Sequence, residues 1–261
     1  MADTRRLLYT DFDGNPLAGP EPLIGRGLVD DRHRERVPGL AAVLDDPEAD
    51  PLDRLFACLA LTAWGEASGY RAVVAMGSAP PPWHGLPRGN LEKADTPFGR
   101  IAAQVALSDE MAARKATQSL RIDALRALVG LADREDFGDQ LGAAIFTGPP
   151  STVAADVIAA ARRGLQRLDQ QPWPPFDLPC QLVDILEPLV EVDEPTALAL
   201  VVEIVRRDPR PHTLGYVAFL AATATTSAAE ALATHIVALG GPAIGERLAE
   251  ARARHGGPKI T

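Results

Sequence analysis

An all-α fold is what this sequence predicts, built as a right-handed α-α superhelix of stacked helical hairpins with an irregular segment at its N-terminus. Three observations carry that expectation. First, one segment echoes another 67 positions on: Arg54, Leu55, Ala57, Cys58, Leu61, Trp64, Glu66, Tyr70 and Val74 stand where Arg121, Ile122, Ala124, Leu125, Leu128, Leu131, Asp133, Phe137 and Leu141 stand later. Both copies read as a helix, a tight acidic turn, and a second helix opened by an aromatic residue. Second, apolar residues recur at helical spacing from Val37 onward, and no segment alternates convincingly with period 2. Third, the apolar weight rests on Ala, Leu and Val, since aromatics are only 5% of the chain.

The elements follow in order. Residues 1–37 form the irregular segment, because Gly14, Pro16, Gly19, Pro20, Pro22, Gly25 and Gly27 punctuate it too often for a helix. Residues 38–261 form the helical repeat domain. Asp50-Pro51 supplies a cap and a first-turn proline ahead of Leu52, Leu55, Phe56 and Leu59. Thr96-Pro97 and Glu194-Pro195 use the same start, and Ser227 to Glu230 reads as a capping box. Apolar stripes follow over Val153–Leu168, Leu182–Leu189, Leu198–Val205 and Leu232–Leu239. The count is about eleven helices and no sheet.

This tandem pattern resembles HEAT-like repeats, clearly over residues 54–76 and 121–145 and in degenerate form over 194–254. The resemblance implies an α-solenoid and no catalytic residue. Such scaffolds are binding surfaces.

Bulk properties narrow the function. The formal net charge is −9, which opposes a phosphate-tracking surface. HEAT-like alkylpurine DNA glycosylases need a basic concave face, and Lys93, Lys115 and Lys259 are the only lysines here. The run Asp30 to Arg36 mixes signs and reads as a solvated face. No apolar stretch is long enough for a signal peptide or a membrane span. Two distant cysteines, Cys58 and Cys180, fit a reducing cytoplasm.

Candidate chemistry is sparse. The string Leu8-Tyr-Thr-Asp11-Phe-Asp13-Gly14-Asn15 resembles the first motif of haloacid-dehalogenase-type phosphatases. The resemblance implies Asp11 as nucleophile and Asp13 as acid/base beside magnesium. Asn15 replaces the family's Thr, and no strand–helix alternation follows, so a turn is the simpler account. The five histidines (His33, His84, His212, His235 and His255) show no i,i+4 pair and have no neighbouring Cys, so no metal ligand is assigned. No phosphate-binding or nucleophile-elbow motif occurs, and no catalytic residue or cofactor is expected.

The partner-binding residues expected from sequence are two Pro/Trp loops and an acidic strip. The loops span residues 80–87, with Trp83 and His84, and 172–179, with Trp173 and Phe176. Proline keeps such loops extended while Trp supplies contact area. The alternative is that each Trp folds back over a seam between helices. Asp184, Glu187 and Glu191 share one helix face and suit a basic partner. The function expected is therefore a non-catalytic intracellular protein-binding scaffold, of which an immunity- or antitoxin-type protein is a specific version. A ligand pocket between helix pairs, lined by Trp64, Tyr70 and the aromatic loops, is the alternative.

Overall fold

The computed structural model describes residues 4–84, 96–224 and 226–255. Among them the chain is all-α, with 15 helices and no strand beyond an isolated bridge between Thr10 and Pro16. It divides into two compact units, Met1–Leu131 and Ala132–Thr261.

The first unit holds α1 (Thr4–Leu8), α2 (Glu21–Gly27), α3 (His33–Asp45), α4 (Pro51–Ala63), α5 (Ala67–Met76), α6 (Pro97–Leu107), α7 (Asp109–Arg114) and α8 (Gln118–Val129). At its centre α4 is buried all round from Leu55 to Ala63 and packs against α3, α5 and α6. The predicted starts are present: Asp50 Oδ1 accepts from the Leu52 N–H at 2.8 Å, and Thr96 Oγ1 accepts from the Gly99 N–H at 3.0 Å.

The echo between the two copies has a physical counterpart. Arg54, opening α4, donates to the Leu44 carbonyl at the end of α3 at 3.0 Å. Arg121, opening α8, donates to the Val105 carbonyl at the end of α6 at 2.8 Å. Each arginine satisfies carbonyls in the last turn of an earlier helix, where the helix leaves them without an internal partner. The second halves differ. α5 packs directly on α4, whereas α8 packs on α5 and α6 of the first unit and α9 packs on α10 and α11 of the second.

The N-terminal segment departs from the expectation of irregular chain. It carries α1, α2 and the start of α3: Gly14, Pro16 and Gly19 fall between helices, Pro20 and Pro22 open α2 and Gly27 ends it, and only Gly25 lies within it. The Asp30–Arg36 run is a solvated face only in part: Asp31, Arg32, Arg34 and Glu35 are exposed, while His33 and Arg36 turn inward. His33 is 1% exposed and lies against the Trp64 ring at 5.1 Å. Arg36 donates to the carbonyls of Leu7 and Thr10, both at 2.8 Å, and also to that of Asp11. Helical charge periodicity could not reveal these inward partners, which come from distant sequence.

The second unit holds α9 (Gln140–Phe146), α10 (Pro150–Leu168), α11 (Leu178–Leu186), α12 (Val190–Arg207), α13 (Pro211–Thr223), α14 (Ser227–Gly240) and α15 (Pro242–His255). α12 bends at Asp193, whose φ of −149° and ψ of 70° break the helix. Pro195 explains the bend, since it lacks an N–H and disfavours helical geometry before it. The restart uses Asp193 as cap, one residue before the expected Glu194: its Oδ1 accepts from the Thr196 N–H at 3.3 Å. α14 is likewise capped by Thr226, not Ser227, with Thr226 Oγ1 accepting from the Ala229 N–H. No helix of the described residues is long and apolar enough to cross a membrane.

Candidate functional site

The residues expected to bind a partner are differently placed. Trp83 is 2% exposed and lines a small cleft of about 290 Å³ with Leu44, Ala72 and Met76 of the first unit. Its Nε1 has no acceptor among the described residues. That is the seam-covering placement. His84 beside it is exposed, and residues 85–87 of the same loop lie outside the described residues. Trp64 and Tyr70 are fully buried; Trp64 Nε1 donates to the Ile24 carbonyl and the Tyr70 hydroxyl to Ser108 Oγ.

Trp173 is half-buried, donates from Nε1 to the Leu168 carbonyl at 3.0 Å, and lies 5.8 Å beneath the Arg210 guanidinium. Phe176 is half-buried just before α11, and Glu191 is exposed on α12. Asp184 and Glu187 line a small cleft of about 370 Å³ with His212, Tyr216, Phe219 and Arg247. Asp184 also accepts from the Gly142 N–H at 2.7 Å, closing a free amide in the first turn of α9. Burial pushes the Asp184 carboxyl up to about 7 against that hydrogen bond.

Asp11 is consumed by a turn. Its carboxylate accepts from the Asn15 N–H at 2.8 Å, the Asn15 amide at 3.1 Å, the Asp13 N–H at 3.0 Å and Arg26 at 2.9 Å. These bonds, led by Asn15, hold it down at about 2. Asp13 faces Arg32. Neither the parallel sheet nor the later acid and lysine positions that phosphatase chemistry requires accompany this turn among the described residues.

Two features of the second unit were hidden from sequence. One is an open apolar groove of about 880 Å³ between α12 and α14. Leu198, Val205 and Leu232 form its buried floor, while Val202 (37% exposed) and Leu239 (50% exposed) stand on its walls. It exists because the facing positions Pro195, Ala199, Pro209, Ala228 and Ala231 are short. Arg206 and His235 are its polar members. Periodicity placed Val202 and Leu239 in core stripes, since a pattern in one helix does not say whether its neighbour reaches it.

The other feature joins Asp177, Cys180 and His212. One ligand atom from each lies within 4.8 Å of the others. Asp177 caps α11, Cys180 sits in the first turn of α11, and His212 sits in the first turn of α13. Burial, with Asp177 beside it, pushes the Cys180 thiol up to about 12. The separation of 32 positions between Cys180 and His212 concealed the cluster; packing of α11 on α13 closes it.

Fold and site together define a class: an all-α protein carrying an open apolar groove and a mixed Asp/Cys/His cluster. Comparison with protein-family models, curated proteins and solved structures returned no match.

Proposed function

We propose that this chain is a non-catalytic binding protein whose α12/α14 groove receives an amphipathic helix of a partner protein. The groove itself carries the reading. It runs from Pro195 to Arg206 along α12, with Pro209 just beyond the helix, and from Ala228 to Leu239 along α14. At 1.5 Å per residue each span is about 16–17 Å, or some three turns of helix. An exposed apolar channel of this length suits anchors spaced i, i+4 and i+7 along a docked helix. The net charge of −9 favours a partner helix with a basic outer face. Both cysteines are unpaired, in keeping with work in a reducing compartment.

The test compares the native chain with a Val202→Asp/Leu239→Asp variant as bait in host lysate. Both positions are exposed, so the variant should melt within about 1 kcal/mol of the native chain. A stoichiometric partner held by the native chain and released by the variant supports the reading. A partner held equally by both overturns it. The groove volume also lies within the range of small-molecule sites. An empty bait whose melting temperature rises only with an apolar small molecule, in the native chain alone, would replace the helix with that ligand.

A further inference from the structure

We propose that Asp177, Cys180 and His212 form a zinc-binding site. The set offers one thiolate, one imidazole and one carboxylate, a combination that suits Zn²⁺ and is too soft for Mg²⁺ or Ca²⁺. The three donor atoms lie within 4.8 Å of one another. Neighbouring donors in a filled tetrahedral zinc site are about 3.5 Å apart, so about an ångström of closure is needed. His212, exposed and edge-on to the Tyr216 ring, can supply it by a side-chain rotation, and its Nε2 already stands 3.7 Å from Asp177 Oδ2.

The surroundings orient the donors as outer partners orient metal ligands. Asp177 Oδ1 is taken by Arg210 Nη2 at 3.2 Å and by the Cys180 N–H at 3.5 Å, which leaves Oδ2 turned towards His212. Arg210 does not cancel the site's charge, because Asp208 holds it through two bonds of 2.7 and 2.9 Å. Asp208 is 2% exposed and also accepts from the Thr213 hydroxyl at 2.5 Å. Asp177 and Asp208 contribute −2 and Arg210 +1, leaving −1; a metal-bound thiolate at Cys180 makes −2, which a divalent cation neutralises. On binding, the thiol proton leaves to solvent as the Zn–S bond forms, with no change of oxidation state.

A helix cap alone explains Asp177, but not a buried thiol and an imidazole brought within 4.8 Å of its carboxylate. Cys180 is 4% exposed, and its thiol lies 3.8 Å from Thr213 Oγ1. The exposed side of His212 leaves a fourth coordination position open to water. None of these residues lines the α12/α14 groove, so this inference and the proposed function stand or fall separately.

The experiment titrates the full-length, reduced, metal-free chain with Co²⁺ and then with Zn²⁺. One equivalent of cobalt should produce a thiolate-to-cobalt charge-transfer band with the visible bands of tetrahedral cobalt, and one equivalent of zinc should bleach both. Cys58→Ser should keep the signal, Cys180→Ser should abolish it, and His212→Ala should weaken cobalt affinity by more than about 100-fold. His212 is exposed, so its variant tests the site even if Cys180→Ser fails to fold; circular dichroism of each variant shows which have folded. No band in the native chain at millimolar cobalt, a band that survives in Cys180→Ser, or unchanged affinity in His212→Ala overturns the proposal.

Discussion

The Gly142 N–H donates to Asp184 Oδ2 at 2.7 Å where the backbones of α9 and α11 nearly touch. A Cβ on Gly142 would lie 2.5 Å from both the Asp184 carbonyl oxygen and its Oδ1. Backbone blocks relief of that contact. Gly142→Ala should therefore destabilise the second unit by about 1–3 kcal/mol, the usual cost of overpacking, as read from urea denaturation.

Asp184 itself sets a pH dependence. Its folded-state value of about 7 lies above the ordinary carboxyl value near 4, so the folded chain binds this proton more tightly than the unfolded chain. The associated stability is complete below about pH 4 and is lost as pH rises through about 7. Asp184→Asn stays neutral and keeps an acceptor for Gly142. It should be more stable than the native chain at pH 8 by up to about 4 kcal/mol, with the gap closing towards pH 4. Thermal melts across that range measure it; a gap independent of pH would contradict it.

His33 works in the opposite direction. Burial, with Lys115 beside its Nε2 at 2.9 Å, holds the imidazole below its ordinary range. The unfolded chain therefore takes up this proton first, and stability falls as pH drops below about 6.5. The melting temperature of His33→Gln relative to the native chain should therefore rise as pH falls from 7 to 5, a difference that separates His33 from the opposite trend of Asp184.

Gln181, 3% exposed, ties the loop before α9 to α11. Its Oε1 accepts from the Phe137 N–H at 2.7 Å, and its Nε2 donates to the carbonyls of Ala132 at 2.7 Å and Glu135 at 2.9 Å. Gln181→Ala strands buried backbone groups and should lose about 2–4 kcal/mol. Gln181→Glu keeps only the acceptor, so it should also destabilise. Denaturant midpoints compare the two.

The two Pro/Trp loops should separate by stability. Trp83 is buried, so Trp83→Ala should cost about 3–5 kcal/mol through the cavity it leaves. Trp173 is half-buried beneath Arg210, and Trp173→Ala should cost about 1–2 kcal/mol. Equal melting temperatures for the two variants would remove this distinction.

Sequence by itself determined the all-α class and most of the helices beyond the N-terminal segment, but not α1 and α2. Helix class, the Asp50 and Thr96 caps and most apolar stripes were legible because they depend on residues three or four positions apart. The matching roles of Arg54 and Arg121 left a trace for the same reason, since each opens a helix at a fixed offset from its stripe. The tertiary structure decided everything that depends on which helix lies beside which. It turned Val202 and Leu239 from core residues into groove walls, buried His33 and Trp83, and brought Cys180 to His212. A helical stripe specifies an apolar face but not its occupant, because the hydrophobic effect is non-directional and the choice of neighbour is made by shape.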